Sequence, residues 1–221
     1  MPVAASSYLE VVERLPLGAA LRVNDVSWED YEQLLADLGP SYRVRIFYDQ
    51  GRMEVMSPKP KHEKPTKIIH TLLIALRDEL DVDVESFGST TFKDKLKDIG
   101  AEPDDCFYVQ HAAAMIGLEN DPESLPPPDL VVESDLTSSS LNRFPIYAAL
   151  GVPEIWRVVN WQVQIWRLGG ETYEQAATSY AFPFLTAAAL QEFLAKGRAE
   201  GERKTARAFR EWVRGQVKSS S

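Results

Sequence analysis

The sequence predicts a single α/β domain in which a central mixed β-sheet is flanked by helices. The 221 residues are enough for one continuous core. Apolar residues recur at helical spacing in several segments, and short segments rich in β-branched and aromatic residues lie between them. Hydrophobic residues make up 44% of the chain and charged residues 26%, which is the balance of a globular protein.

The chain is expected to have three parts. Residues 1–26 look irregular and are predicted to form an N-terminal arm. Residues 27–196 are predicted to form the folded domain, and residues 197–221 a C-terminal helix and tail. The N-terminus lacks a basic segment followed by an apolar one, and no apolar run is long enough to cross a bilayer. We therefore expect a cytoplasmic protein that does not bind a membrane.

The first half of the domain is predicted to contain a helix, a β-hairpin and a second helix. Ser27 and Asp30 have the spacing of a capping box, and apolar residues then recur at helical spacing until Gly39-Pro40. The segments YRVRIFY and RMEVM alternate at period two around the turn DQG, which predicts the hairpin. Residues 62–80 predict a long helix whose regular part begins after Pro65.

The second half is predicted to contain most of the sheet. The segments VDVESFG, STTFK, DDCFYV and DLVVESD have the composition of strands. The last of them follows Pro126-Pro127-Pro128 and is apolar without alternation, which is typical of a central strand. LNRFPIYAALG predicts a helix with Pro145 in its first turn and Gly151 at its end. A three-strand meander, with turns at Asn160 and Gly169-Gly170, and two more helices complete the prediction.

The net charge and the cysteine content exclude some classes of function. The net charge of −9 argues against a protein that coats nucleic acid, because such proteins neutralise many phosphates with Lys and Arg. It is compatible with an enzyme that concentrates carboxylates around a cation. Cys106 is the only cysteine, so neither an internal disulfide nor a cysteine-rich zinc site can form.

Two acidic residues on neighbouring predicted strands are candidates for a metal site. Glu133 ends an apolar run, where a charge is rare unless it is paired or bound to a metal. Asp104 begins the preceding strand, although a capped strand start is the alternative explanation for it. Phosphodiester hydrolysis with Mg²⁺ needs at least two carboxylates that share the cation. Asp104 and Glu133 meet this need if their strands are adjacent.

Several motifs together resemble a known family. They are RMEVMSPKPKHE, GSTTFK followed by EPDDCFYV, PDLVVESDLTSSSLNRFPIYAALGVPEIWRV, and YAFPFL. In these motifs the chain resembles the Uma-two putative restriction endonuclease family, a domain of unknown function in the PD-(D/E)XK nuclease superfamily, over most of its length. The resemblance implies a restriction-endonuclease-like core, with Asp104 as the motif aspartate and Glu133 as the motif acid. It also implies Mg²⁺ or Mn²⁺ as cofactor and DNA as substrate.

One position departs from the superfamily pattern, which places Lys two residues after the acid. This sequence has Asp135 there, which is either a third ligand or a turn residue. The resemblance implies that a basic residue on the following helix substitutes, and the matching residue is Arg143. Arg143 stays protonated and can hold a scissile phosphate, although a surface salt bridge is the alternative. Lys93 and Lys95 are other candidates for the missing cation.

Further candidates lie around the hairpin. Glu54 occupies a position at which the resembled family also has an acid, so it is expected to join the site. Glu63 is explained more simply by the helix dipole. His62 lies in the lysine-rich segment KPKHEK, which is either a phosphate-binding patch or, as we favour, solvated surface. The three tryptophans of the meander are assigned to core packing or a dimer interface rather than to base stacking.

The sequence therefore predicts a metal-dependent endonuclease that hydrolyses DNA phosphodiester bonds. Asp104 and Glu133 are the expected metal ligands, Glu54 and Asp135 auxiliary acids, and Arg143 the cation that faces the phosphate. The alternative is a nuclease fold that no longer cuts and serves as a DNA-binding or protein-interaction module. Convergence of Asp104, Glu133 and Arg143 favours the enzyme. A homodimer is one expected assembly of the protein, because nucleases that cut duplexes often work as symmetric pairs.

Overall fold

The computed structural model describes residues 5–39, 42–117, 125–135 and 142–220. The helices are α1 (Ala5–Glu13), α2 (Trp28–Leu38), α3 (Pro60–Leu80), α4 (Ala112–Met115), α5 (Phe144–Leu150), α6 (Ala187–Glu200) and α7 (Glu202–Ser220). The strands are β1 (Ala20–Val23), β2 (Arg45–Asp49), β3 (Arg52–Met56), β4 (Glu85–Ser86), β5 (Phe92–Asp94), β6 (Ile99–Ala101), β7 (Asp105–Tyr108), β8 (Leu130–Asp135), β9 (Glu154–Val159), β10 (Gln162–Gly169) and β11 (Thr172–Ala176).

The strands form two sheets, whereas the sequence predicted one. The first sheet has the order β1-β3-β2-β6-β5, and all of its neighbours are antiparallel. The second has the order β11-β10-β9-β8-β7-β4, in which β8 and β9 are parallel and the other pairs antiparallel. The predicted α/β class, with a mixed sheet flanked by helices, is confirmed, and β8 lies inside the mixed sheet as expected.

Side chains of β8 alternate between two hydrophobic clusters. Val132 belongs to a cluster that includes residues of α3, α6 and α7. Val131 belongs to a second cluster that contains Phe47 from β2 and Tyr147 from α5. This second cluster, which we call the inter-sheet core, joins the two sheets. Because alternate residues of a strand face opposite sides, Glu133 lies on the same side of β8 as Val131.

The N-terminal segment is ordered into two elements, so the prediction of an irregular arm over residues 1–26 was wrong for the part that the structure describes. Tyr8 and Val12 of α1 are buried in a third cluster, which also contains residues of α2. Strand β1 pairs with β3 at the edge of the first sheet. The four residues of β1 are too few to give a clear alternating pattern in the sequence.

Two further elements differ from the sequence prediction. Helix α3 begins at Pro60 and continues through Pro65, whereas the sequence predicted a regular helix only after Pro65. A proline at the first helical position, such as Pro60, loses no hydrogen bond and sets the required φ angle. Strand β6 was not predicted, and it joins β2 to β5. Its central residue is Gly100, where any side chain would collide with the hydroxyl of Tyr31.

The short helix α4 was not predicted either, but the other elements agree with the sequence. Ser27 caps α2, since its Oγ accepts a hydrogen bond from the Asp30 N–H at 3.1 Å. Helix α5 has Pro145 in its first turn and ends at Gly151, where φ is 85°. The hairpin, the meander and the two C-terminal helices are also present. Within the described ranges, every helix is too short or too polar to cross a lipid bilayer.

Candidate functional site

The pairing of β7 with β8 brings Asp104 next to Glu133. Asp105, the first residue of β7, pairs with Val132, so one further step of the same register sets Asp104 opposite Glu133. The Ser134 N–H donates a hydrogen bond to Asp104 Oδ2 at 2.8 Å, which fixes the aspartate against β8. The exposed fractions are 8% for Asp104 and 3% for Glu133, so the paired strands carry two buried carboxylates side by side.

Arg143 contacts this pair from the start of α5. Its Nη1 donates a hydrogen bond to Glu133 Oε2, and its Nη2 lies 3.8 Å from Glu54 Oε1. Its Cζ lies 3.9 Å from the centroid of the Phe47 ring, in a cation–π contact. Arg143 is buried, so it belongs to an ion-pair network between the sheets and is not the surface salt bridge that the sequence left as an alternative.

Tyr147 holds the other oxygen of Glu133, although it was not among the residues predicted from the sequence. It lies four residues after Arg143, on the same face of α5. Its hydroxyl donates to Glu133 Oε1. Burial, together with the nearby charge of Glu133, holds the pKa of Tyr147 well above its usual range, so the hydroxyl keeps its proton. The spacing of Arg and Tyr in RFPIY was the available signal.

Glu54 lies on the facing side of the first sheet and joins the site through arginines. It is almost fully buried and pairs across the hairpin with Phe47, which belongs to the inter-sheet core. Its Oε2 accepts a hydrogen bond from Arg22 Nε at 2.7 Å, and its Oε1 faces Arg143. Arg22 escaped the sequence prediction because it lies on β1, in the segment predicted to be irregular.

The surroundings of Asp104 only partly stabilise the negative charge of its carboxylate. Burial raises the pKa of Asp104 to about 6, although the charges of Arg143 and Arg45 and the Ser134 N–H lower it, and the charge of Glu63 raises it further. Arg45 Nη2 lies 4.0 Å from Glu63 Oε1. Arg45 and Glu63 are therefore neighbours of the site, and Glu63 lies in the first turn of α3, as its helix-dipole explanation requires.

The sequence matches the family described as Uma2, putative restriction endonuclease, over residues 28–199. The protein belongs to the Uma2 family. A crystal structure of a putative nuclease belonging to DUF820 from Anabaena variabilis ATCC 29413 superposes with a TM-score of 0.49 and 13% sequence identity, covering 87% of this chain and 99% of that chain. No curated protein matches this sequence.

Asp104 and Glu133 are the residues of this Uma2 protein that could hold a hard divalent cation. Carboxylate oxygens are the ligands that Mg²⁺ prefers, and the raised pKa of Asp104 means that an added positive charge nearby would favour its ionised form. Both Glu133 oxygens are in contact with Arg143 or Tyr147. A cation at Glu133 would therefore have to displace or share at least one of these contacts.

Two predicted residues have side chains outside the described part of the Uma2 protein. The backbone of Asp135 ends β8, but its side chain and that of His62 are not described. Among the side chains that are described, no group of three or more His, Cys, Asp or Glu is arranged to hold a metal ion. The roles of Asp135 and His62 stay predictions.

The other candidates contact residues away from the carboxylate pair. Lys93 Nζ lies 2.7 Å from Glu32 Oε1, and Lys95 Nζ lies 3.5 Å from Glu29 Oε1, both glutamates belonging to α2. Arg143 is thus the predicted cation that the structure brings to Glu133. The packing assignment of the tryptophans is confirmed for Trp156, which is fully buried in the cluster with α3, α6 and α7.

Proposed function

We propose that this Uma2 protein is a metal-dependent endonuclease that hydrolyses DNA phosphodiester bonds. The placement of Asp104 and Glu133 on paired strands, with Arg143 in contact with Glu133, carries this proposal. Membership of a family described as putative restriction endonucleases supports a nuclease and suggests DNA as its substrate.

Asp104 and Glu133 would hold Mg²⁺ or Mn²⁺. When bound, such an ion lowers the pKa of a coordinated water and screens the charge that develops on the leaving oxygen. Asp104 must be ionised to serve as a ligand, and its pKa of about 6 in the metal-free protein leaves it ionised at neutral pH. Its hydrogen bond from Ser134 keeps one carboxylate oxygen in place.

Arg143 and Tyr147 would act on the substrate and on Glu133, respectively. The guanidinium of Arg143 remains charged and can donate hydrogen bonds to a phosphate oxygen as negative charge builds on it. It cannot serve as the general base, so the attacking water must lose its proton to another group. Tyr147 restricts the rotation of Glu133 through the hydrogen bond to Oε1.

A second function has a specific observation in its favour. Glu133 is bound on one oxygen by Arg143 and on the other by Tyr147, and Asp135 stands where the superfamily has lysine. A protein that keeps this arrangement when DNA arrives would bind DNA or a protein partner without cutting. The nuclease and a DNA-binding module both predict contact with nucleic acid, whereas a protein-interaction module does not. Only the nuclease predicts strand breaks that depend on the cation.

The deciding experiment is a cleavage assay on plasmid and single-stranded DNA with Mg²⁺, Mn²⁺ or EDTA. We expect cleavage by the wild-type protein with either ion, none with EDTA, and none by Glu133→Ala. Glu174→Ala removes a carboxylate from an exposed position on β11 and should cut like the wild type. Equal activity of wild type and Glu133→Ala would remove Glu133 from the mechanism. Cation binding and DNA binding without any cleavage would favour the module.

Assembly and location are separate proposals. Symmetric pairs of subunits commonly present two equivalent sites to a duplex, so we propose that the protein acts as a homodimer. Light scattering on the purified chain would detect it. We place the protein in the cytoplasm, where its lone cysteine would remain reduced. Cell fractionation tests this location.

A further inference from the structure

We propose that Arg22 binds a backbone phosphate of the nucleic acid beside the carboxylate pair, and that Glu54 is the residue that positions it. This inference rests on the proposed function in its substrate class, because it requires a nucleic acid, but it does not require cleavage. Arg22 lies outside residues 28–199, the range that matches the family.

Arg22 is held by a buried carboxylate while remaining open to solvent. Arg22 and Glu54 are directly paired across β1 and β3, and Arg22 Nε donates to Glu54 Oε2 at 2.7 Å. The side chain of Arg22 is 50% exposed, whereas that of Glu54 is 1% exposed. A ligand can thus reach the guanidinium although one of its N–H groups is already bound.

The buried carboxylate also connects Arg22 to the candidate site. The other oxygen of Glu54 faces Arg143 Nη2 at 3.8 Å, and Arg143 contacts Glu133. Basic and acidic side chains therefore alternate from the edge of the first sheet to β8. Arg22 and Arg143 therefore approach different oxygens of the same Glu54 carboxylate, which places Arg22 beside the candidate site.

The chemistry of an anchored guanidinium suits a phosphate. The planar group has five N–H donors, so it can bind a carboxylate with one edge and a phosphate oxygen with another. Because Glu54 already limits the rotation of Arg22, less side-chain entropy is lost when the phosphate binds. An arginine that only neutralises Glu54 is the competing explanation, and it predicts no change in nucleic-acid binding when the charge is removed.

The test is a salt titration of DNA binding by the full chain. Fluorescence anisotropy of a short labelled duplex would be measured in Ca²⁺ and in EDTA for the wild type and for Arg22→Gln, which keeps a donor for Glu54 but removes the charge. We expect Arg22→Gln to bind roughly tenfold more weakly at low salt and to reduce the slope of log K against log salt concentration by about one.

Arg207→Gln is the matched control. Arg207 is an arginine on α7 whose Nε lies 3.3 Å from Glu211 Oε1, and its side chain is 85% exposed. The Arg207→Gln variant should bind DNA like the wild type. Arg22→Lys keeps the charge but loses the planar fork, and we expect it to bind several-fold more weakly than the wild type. Thermal melting of each variant checks that the fold is retained, and Arg22→Lys carries the test if Arg22→Gln does not fold.

The outcomes separate this inference from the proposed nuclease activity. A lower slope for Arg22→Gln alone supports the inference even if the wild type never cuts DNA. The inference is overturned if Arg22→Gln binds DNA with the affinity and the salt dependence of the wild type, even if the wild type cuts DNA. An equal loss in Arg207→Gln, or no DNA binding by the wild type in either buffer, also overturns it. Wild-type affinity in Arg22→Lys rules out the forked contact that Glu54 is proposed to position.

Discussion

Two adjacent aspartates, Asp104 and Asp105, lie on opposite faces of the same strand segment and have different surroundings. Asp105 faces α3, where its Oδ2 lies 2.8 Å from His70 Nδ1. Its Oδ1 accepts hydrogen bonds from Ser86 Oγ at 3.3 Å and from the Cys106 N–H at 3.0 Å. Each oxygen of this buried carboxylate therefore has a partner, as expected of an aspartate that supports the fold.

Asp104 faces the inter-sheet core and is less fully compensated. Its Oδ2 accepts a hydrogen bond from the Ser134 N–H. The described contacts include no hydrogen bond to its Oδ1. Burial raises its pKa to about 6 in spite of the nearby charge of Arg143. The difference teaches that burial alone does not distinguish the proposed metal ligand from an aspartate that supports the fold. The acid whose ionised form still lacks stabilisation is the one that a cation would favour.

The largest expected effect comes from exchanging each aspartate for asparagine. Asp104→Asn should lower metal-dependent cleavage by on the order of a thousandfold, because metal ligation supplies several kcal/mol to the transition state. Asp105→Asn should keep its activity per folded molecule but lose about 2 kcal/mol of unfolding free energy, because it weakens hydrogen bonds to a charged group. Cleavage rates and urea unfolding of both variants measure the two effects. Loss of activity in both, with equal stability, would mean that the two faces do not differ in function.

The sequence predicted the centre of the candidate site because its signal is local. The apolar run before Glu133 predicts a buried strand, and a charge at the end of such a run needs a partner. The adjacency of the two strands was a condition of the prediction, and the register of β7 and β8 meets it by bringing Asp104 to Glu133.

The rest of the site depends on contacts between distant segments. Arg22, Arg45 and Glu54 reach the site because the first sheet packs against the inter-sheet core, and no periodicity within one segment encodes that packing. Tyr147 was hidden because a tyrosine in an apolar helix is usually a core residue. His70 likewise lies on α3, which the sequence predicted as a core helix. Its contact with Asp105 depends on how β7 packs against that helix in the folded protein.

Arg143→Ala is expected to destabilise the metal-free protein by about 3 kcal/mol, because it leaves the buried carboxylates of Glu133 and Glu54 without this cation. Saturating Mn²⁺ should restore part of the loss, since the ion can neutralise the same charges, and the rise in melting temperature with Mn²⁺ should exceed that of the wild type. Cleavage should remain low in either case. The same rise in both proteins would indicate that the ion binds away from Glu133. His70→Ala, on the other face, should show no such rescue.

The pH dependence of stability should report on the burial of Asp104 in the metal-free protein. The pKa of Asp104 is raised in the folded state from 3.8 to about 6, so the folded protein binds more protons than the unfolded chain between these values. The contribution of Asp104 to stability is therefore present at low pH and is lost as pH rises from about 4 to about 6.

Asp104→Asn should remove this term. Its unfolding free energy relative to the wild type should rise by about 2 to 3 kcal/mol over that range, since one pKa unit corresponds to about 1.4 kcal/mol. Urea titrations in EDTA at several pH values would measure the difference, and Mn²⁺ should reduce it because the ion favours the ionised aspartate. If the difference does not change with pH, the ionised carboxylate of Asp104 is better stabilised than the structure indicates.

The smallest expected effect compares single hydroxyl deletions on the two faces. Tyr147→Phe removes the hydrogen bond to Glu133, and Ser86→Ala removes the one to Asp105. Each should cost about 1 kcal/mol of stability. Only Tyr147→Phe should weaken Mn²⁺ binding, by several-fold, because Glu133 would then have to be held in place by the ion itself. Isothermal titration calorimetry measures the affinity in both variants. An equal change in both would mean that Tyr147 contributes to the fold alone, whereas a change confined to Tyr147→Phe makes it a positioning residue for the proposed metal ligand.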